Sequence, residues 1–170
     1  ILAHRIVWSM VFLLVLLVLR RRWAWLREVA RDRRRLLMAL TAASVLSFNW
    51  GVYNWAVLNG HVVDGSLGYF MNPLITVVLG VVLLQERLRP AQLVAVAFAA
   101  VAVVVLTVDT GGVPWIGLVV GSTFATYGLI KKFIDMPPLD SLAVETGFMV
   151  LPFTTVLVVL QARGDLVYGV

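Results

Sequence analysis

The chain has 170 residues, enough for one ordinary domain, yet 61% are hydrophobic and only 14% charged, against roughly 45–50% and 25% in soluble domains. A globule of this size could not hide that much apolar surface from water, and a disordered chain would be poor in it, so both classes are excluded. With no Cys there is no disulfide and no thiolate metal site, and the net charge of +5 takes its meaning from where the basic residues fall.

A bilayer core about 30 Å thick takes roughly 20 apolar residues as a helix, with a closed barrel as the other solution. Barrel strands would alternate with period two, whereas the stretches 11–19 and 101–108 are apolar all round. Six helical spans are expected, over 1–19, 36–58, 66–84, 91–108, 113–130 and 141–160. The expected fold class is all-α, a polytopic transmembrane bundle of six spans joined by short connections.

The first connection carries Arg20, Arg21, Arg22, Arg27, Arg31, Arg33, Arg34 and Arg35. The second holds His61 and Asp64 and no Lys or Arg. Arg87 and Arg89 follow the third span, Asp109 the fourth, and Lys131 and Lys132 the fifth. Basic residues thus collect in alternate connections, which predicts that 20–35, 85–90 and 131–140 are cytoplasmic and that both chain ends lie outside. Topology accounts for the arginines, so nucleic acid is not an expected partner. Trp23, Trp25 and Leu26 among them suggest a short helix on the inner leaflet. The chain enters a span directly, without initiator Met or cleavage site, and is expected to be an internal piece of a longer protein.

Function is sought where polarity is expensive, since an ionisable group at mid-span costs roughly 2.5–3.5 kcal/mol on insertion scales. In span 2, Asn49 and Tyr53 are four apart, as are Trp50 and Asn54, so the four share one broad face. Such a face can line a hydrated cavity, or it can serve as interhelical glue with an outer aromatic belt, which suits Trp55. In span 3, Pro73 frees the Tyr69 carbonyl beside Asn72, about 9 Å in from Ser66 at 1.5 Å per residue. A polar cavity and a purely structural kink both remain open there. Pro152 repeats the device in less polar surroundings. Gly117 and Gly121 form a GxxxG pattern that lets a neighbouring helix approach, and Thr123 and Tyr127 share a face for packing or for a cavity. Arg5 and Glu145 each follow a Leu-Ala-x sequence about a turn into spans 1 and 6, a weak echo of an inverted repeat, with gating or interfacial snorkelling as their expected role. His4 and His61 lack partners for a metal site, no nucleophile set emerges, and no Gly-rich phosphate loop is present. No catalytic residue, metal or cofactor is expected.

The run from Asn49-Trp50 through Trp55-Ala56-Val57, then 66–74 with its Ser-Leu-Gly-Tyr-Phe-Met-Asn-Pro-Leu order, then Glu86-Arg87, resembles the RarD-type permeases of the EamA branch of drug/metabolite transporters. His4-Arg5, Trp8-Ser9, Tyr127-Gly128-Leu129 and Lys131-Lys132 extend the likeness over nearly the whole chain. The resemblance implies a ten-helix carrier of two inverted five-helix repeats in a bacterial inner membrane. Residues 1–108 would then be helices two to five of the first repeat, and 109–170 helices six and seven. Gln85 departs from the family's usual Gly before Glu-Arg, which would stiffen that turn. Glu86 and Arg87 would brace helix ends or form a solvated pair.

The expected activity is secondary transport, in the export direction, of a small organic metabolite or drug by alternating access. Its cavity would be lined by Asn49, Trp50, Tyr53, Asn54, Tyr69 and Asn72, with Pro73 as a mobile joint. Partners would be the lipid bilayer, the small-molecule substrate and a coupled proton or ion. The alternative is a non-transporting scaffold or partner-binding subunit; an intramembrane enzyme would need a reactive group at depth that the sequence lacks.

Overall fold

A computed structural model of the chain describes residues 2–19, 31–109, 112–134 and 136–163. Six helices stand among these residues: α1 (Leu2–Leu19), α2 (Arg33–Leu58), α3 (Val62–Leu84), α4 (Pro90–Asp109), α5 (Trp115–Phe133) and α6 (Pro138–Arg163). The all-α expectation and the helix order hold. Arg20, Arg21, Arg22, Trp23, Trp25, Leu26 and Arg27 lie outside the described residues, and with them the expected surface helix.

Four helices start earlier than the apolar pattern predicts, and in α2 and α4 a capped polar turn accounts for it. Asp32 Oδ1 accepts hydrogen bonds from the backbone N–H groups of Arg34 and Arg35, both at 3.1 Å. This N-cap satisfies two orphan donors and lets the arginines form the first turn of α2. At the other end of α2, Gly60 takes φ 81°, a left-handed conformation that glycine accepts without steric cost. α4 opens with Pro90 at its first position. The Arg89 N–H just before it donates to Gln92 Oε1 at 2.9 Å, half of a capping box.

α3 ends differently. Gln85 adopts φ 54°, the one positive φ at a non-glycine position among the described residues. The Glu86 N–H then donates to the Gly80 carbonyl at 3.2 Å, closing the helix end. This is a glycine conformation held by a residue with a Cβ.

α2 and α3 are long and apolar enough to cross a membrane. Large apolar side chains face outward on several helices, with Phe12, Phe70, Phe98 and Leu151 between 65% and 79% exposed. Water would not tolerate so much exposed apolar surface on a stable monomer; acyl chains would. Hydroxyls inside the helices are satisfied locally: Thr41, Ser44, Thr107, Thr126 and Thr155 each donate to the carbonyl four residues back at 2.8–2.9 Å. That arrangement suits an environment with no water to bond them.

The chain forms two compact units, Ile1–Ser44 with Phe133–Val170, and Val45–Lys132. In the first, α1 packs along α6, and a Cβ added at Gly147 would lie 3.8 Å from Met10 Cε. Its core holds Ile6, Leu13 and Leu17 of α1, Ala39, Ala42 and Ala43 of α2, and Ala143 and Met149 of α6. The second unit centres on Ala56, Ile116 and Val120, with Val52 and Tyr53 packed against them. There α3 and α5 approach at backbone distance. A Cβ on Gly68 would fall 2.6 Å from Val120 Cβ and 2.9 Å from the Gly117 carbonyl, and one on Gly121 would fall 2.9 Å from the Gly68 carbonyl. Small residues are what membrane helices use to gain contact when no hydrophobic drive separates protein from solvent.

Two substitutions follow from these positions. Gly68→Ala should destabilise by about 1–3 kcal/mol through overpacking, whereas Gly51→Ala, with nothing within 4 Å of the added atom, should be neutral or slightly stabilising; thermal unfolding of detergent-purified full-length protein separates them. By the same assay Gln85→Gly should raise stability by about 1 kcal/mol, because it relieves a left-handed residue at an exposed helix end.

Candidate functional site

The polar residues singled out on α2 and α3 gather in the second unit. Asn49 is fully buried. It stands on the same face of α2 as Ala56, whose small side chain packs against Ile116 and Val120, so α5 comes within reach of its amide. Its Nδ2 donates to the Val120 carbonyl at 2.7 Å and to Thr123 Oγ1 at 2.8 Å. The Thr123 hydroxyl in turn donates to the Val119 carbonyl at 2.6 Å, with the Val120 carbonyl a second acceptor at 3.1 Å. Asn49 Oδ1, by contrast, is buried with no hydrogen-bond donor among the described residues. The amide nitrogen is therefore interhelical glue, and the oxygen is left over.

One turn along, Tyr53 meets Tyr69 edge to face, with ring centroids 5.4 Å apart at 71°. Tyr69 meets Phe124 of α5 at 6.2 Å and 69°, and Phe124 meets Tyr127 at 6.0 Å. Lys131 Nζ lies 5.9 Å from the Tyr127 ring centroid, within cation–π range. These contacts join α2, α3 and α5 by a continuous chain of rings.

Asn72 sits one turn below Tyr69 on α3, half-buried, and its Oδ1 accepts from Thr76 Oγ1 at 3.2 Å. No hydrogen bond joins Asn49 and Asn72 among the described residues; the two helices meet through Tyr53 and Tyr69. Pro73 lies inside α3 and is exposed. Asn54 turns back on its own helix, donating to the Trp50 carbonyl at 2.8 Å, and Trp50 is half-buried. Trp55 is exposed, stacks on His61 at 5.9 Å and leans on Trp115 at 6.0 Å. That cluster lies at helix ends, as a belt does.

The charged candidates separate. Glu86 pairs with Lys132 at the end of α5 rather than with the neighbouring Arg87, which is exposed. Glu86 folds back over α3, where a Cβ on Gly80 would lie 3.0 Å from its Oε2, so the glycine makes room for the carboxylate. Glu145 is buried in the first unit, and its Oε1 accepts from Ser141 Oγ at 2.6 Å. The side chain of Arg5 lies outside the described residues. No cluster of three or more His, Cys, Asp or Glu side chains suited to a metal occurs among the described residues.

Two participants escaped the sequence reading. Lys132 is 46 residues from Glu86, and no local pattern links them. Phe124 joins Tyr69 to Tyr127, and its only sequence signal is the three-residue spacing to Tyr127.

The EamA-like transporter family model matches residues 1–108. The chain is 51% identical over 165 residues to Protein RarD of Streptomyces exfoliatus, a match covering 97% of this chain and 52% of the relative. An uncharacterized transporter of Pseudomonas aeruginosa is 42% identical, covering 96% of this chain and 55% of that protein. Protein RarD of Escherichia coli is 37% identical over 88% of this chain and 50% of its own length. The chain therefore spans about half the length of the curated relatives it matches. No solved structure matches it significantly.

Asn49→Ala should cost about 1–3 kcal/mol, since it strips both the Val120 carbonyl and Thr123 of a buried donor. Thr123→Val should cost less, because the Asn49–Val120 bond survives it. Unfolding midpoints of the two purified full-length variants give the comparison.

Proposed function

The chain belongs to the EamA-like transporter family, and on that premise we propose that it forms the solute path of a secondary carrier working by alternating access. It is an integral membrane protein, as its family and its exposed apolar surface require. In this reading all six helices cross a bacterial inner membrane, with residues 1–108 belonging to one repeat and 109–170 opening the second. The cavity is bordered by Asn49, Trp50, Tyr53, Asn54, Tyr69 and Asn72. The carried solute is a small organic molecule, moved outward, and a proton or ion drives it.

The observation that carries this reading is the idle oxygen of Asn49. A buried acceptor without a donor costs about 1–3 kcal/mol, and a scaffold would gain by losing it. A carrier can supply the donor from its solute or from water that follows it. Pro73 adds a joint, because it removes the N–H that would have bonded the Tyr69 carbonyl. Glu86 and Lys132 add a breakable tie: both are about half exposed, and exposed pairs are worth roughly 0–1 kcal/mol. A contact that must open in every cycle should be of that weak kind. Arg87, Arg5 and Glu145 take gating or structural roles here.

The rival reading, a non-transporting scaffold, draws on the same residue's nitrogen, which does join two helices. Saturable solute flux by the full-length protein reconstituted in liposomes distinguishes them, its absence across a broad panel of solutes favouring the scaffold, and Asn72→Leu then tests the path. Expression and elution should be retained while saturable solute flux falls at least about tenfold, the effect of one lost polar contact of roughly 1.4 kcal/mol. Unchanged flux would remove Asn72 from the path.

A further inference from the structure

The ring chain of the second unit has a direction. The ends of α2 and α3 are joined at 59–61, and Trp115 at the start of α5 touches Trp55, so these three helix ends lie together. Tyr53 is five residues before Leu58, Tyr69 seven after Val62, and Phe124 and Tyr127 nine and twelve after Trp115. At 1.5 Å per residue the rings stand roughly 8, 10, 14 and 18 Å in from that end. Beyond them, Lys131 closes the strip from the last turn of α5.

An aromatic belt would gather at helix ends. Trp55, His61 and Trp115 do so, but this strip runs through the depth instead. Three of its four rings are tyrosines, whose hydroxyls are poor company for acyl chains at mid-depth. None of the four is buried, and Tyr69 is 42% exposed. One turn from Tyr53 stands the second feature, the buried Asn49 oxygen that lacks a donor.

We infer that this path selects planar aromatic solutes bearing an N–H or O–H donor, and the inference rests on the carrier reading above. The solute's ring stacks along the Tyr53–Tyr69–Phe124–Tyr127 strip, and its donor meets Asn49 Oδ1. An aliphatic solute of equal size gains no stacking, and an aromatic one without a donor leaves the oxygen unsatisfied. The strip thus tests shape, and the amide tests polarity.

A matched set of three amides separates the two demands on unmodified full-length protein in nanodiscs. Benzamide has ring and donor, cyclohexanecarboxamide lacks the flat ring, and N,N-dimethylbenzamide lacks the donor. Saturation-transfer NMR titration should give saturable benzamide binding and about tenfold weaker binding of each of the others, the scale of one lost ring or hydrogen-bond contact. Tyr69→Leu should weaken benzamide by a similar factor and leave cyclohexanecarboxamide unchanged. Absence of saturable benzamide binding, or equal binding of all three, would overturn the inference. Flux assays keep the two readings apart. Saturable transport with no preference for rings sinks this inference and leaves the carrier, whereas selective binding with no transport of any solute keeps the selective site and sinks the carrier.

Discussion

Inside a bilayer, helices do not gain by hiding apolar surface from their neighbours, so contact must come from close backbone approach and from polar bonds. In the second unit the first of these makes the second available. Gly68 lets α3 lie against Val120 and the Gly117 carbonyl, and Gly121 lies against the Gly68 carbonyl in return. With side chains larger than hydrogen at those points, α3 would stand farther off, and Tyr69 would lose its ring contact with Phe124. The aromatic strip and the polar bridge are both consequences of that spacing. A glycine pair often read as a generic packing device here sets the geometry of the candidate site.

The hydroxyls of Thr41, Ser44, Thr107, Thr126 and Thr155 all return to their own helices. Thr123 does the same while also receiving Asn49. The oxygen of Asn49 stands out within its own unit; the other buried side-chain oxygen without a partner among the described residues, Asp140 Oδ1, lies at the start of α6 in the first unit. In the first unit, Glu145 is likewise buried but is bonded by Ser141, a turn earlier on the same helix, so it follows the rule of local satisfaction. The difference between the two residues separates a polar group held for structure from one with capacity to spare.

The helices were legible in the sequence because their apolar runs are long and unbroken. Their starts were less so, since hydropathy does not register a polar turn made helical by a cap such as Asp32. The face of α2 could be read from the spacing of Asn49 and Tyr53, and the close approach on α5 from Gly117 and Gly121. The partners could not. Val120 and Thr123 lie 71 and 74 residues from Asn49, and only the folded unit brings them together. Pairing was least legible where a turn redirects the chain: adjacency suggests Glu86 with Arg87, but the left-handed Gln85 swings the Glu86 side chain over Gly80 and out to Lys132.

That last junction shows how a left-handed turn can be held by a residue with a Cβ. A glycine before Glu-Arg would take the left-handed turn at no steric cost. Gln85 takes it as well, which means that surrounding interactions over-determine the turn. Two are visible: the Glu86 N–H bond to the Gly80 carbonyl, and the Glu86–Lys132 pair. Neither is strong alone, one being a single backbone bond at a helix end and the other half exposed. Lys132 also sits in the last turn of α5, where a cation is favoured by the helix dipole. Glu86, just past the last turn of α3, faces the unfavourable end of its own dipole, and Lys132 offsets that charge. The ends of α3 and α5 are thus tied by a contact that each helix end separately helps to define, and that yields far more easily than the glycine contact at the other end.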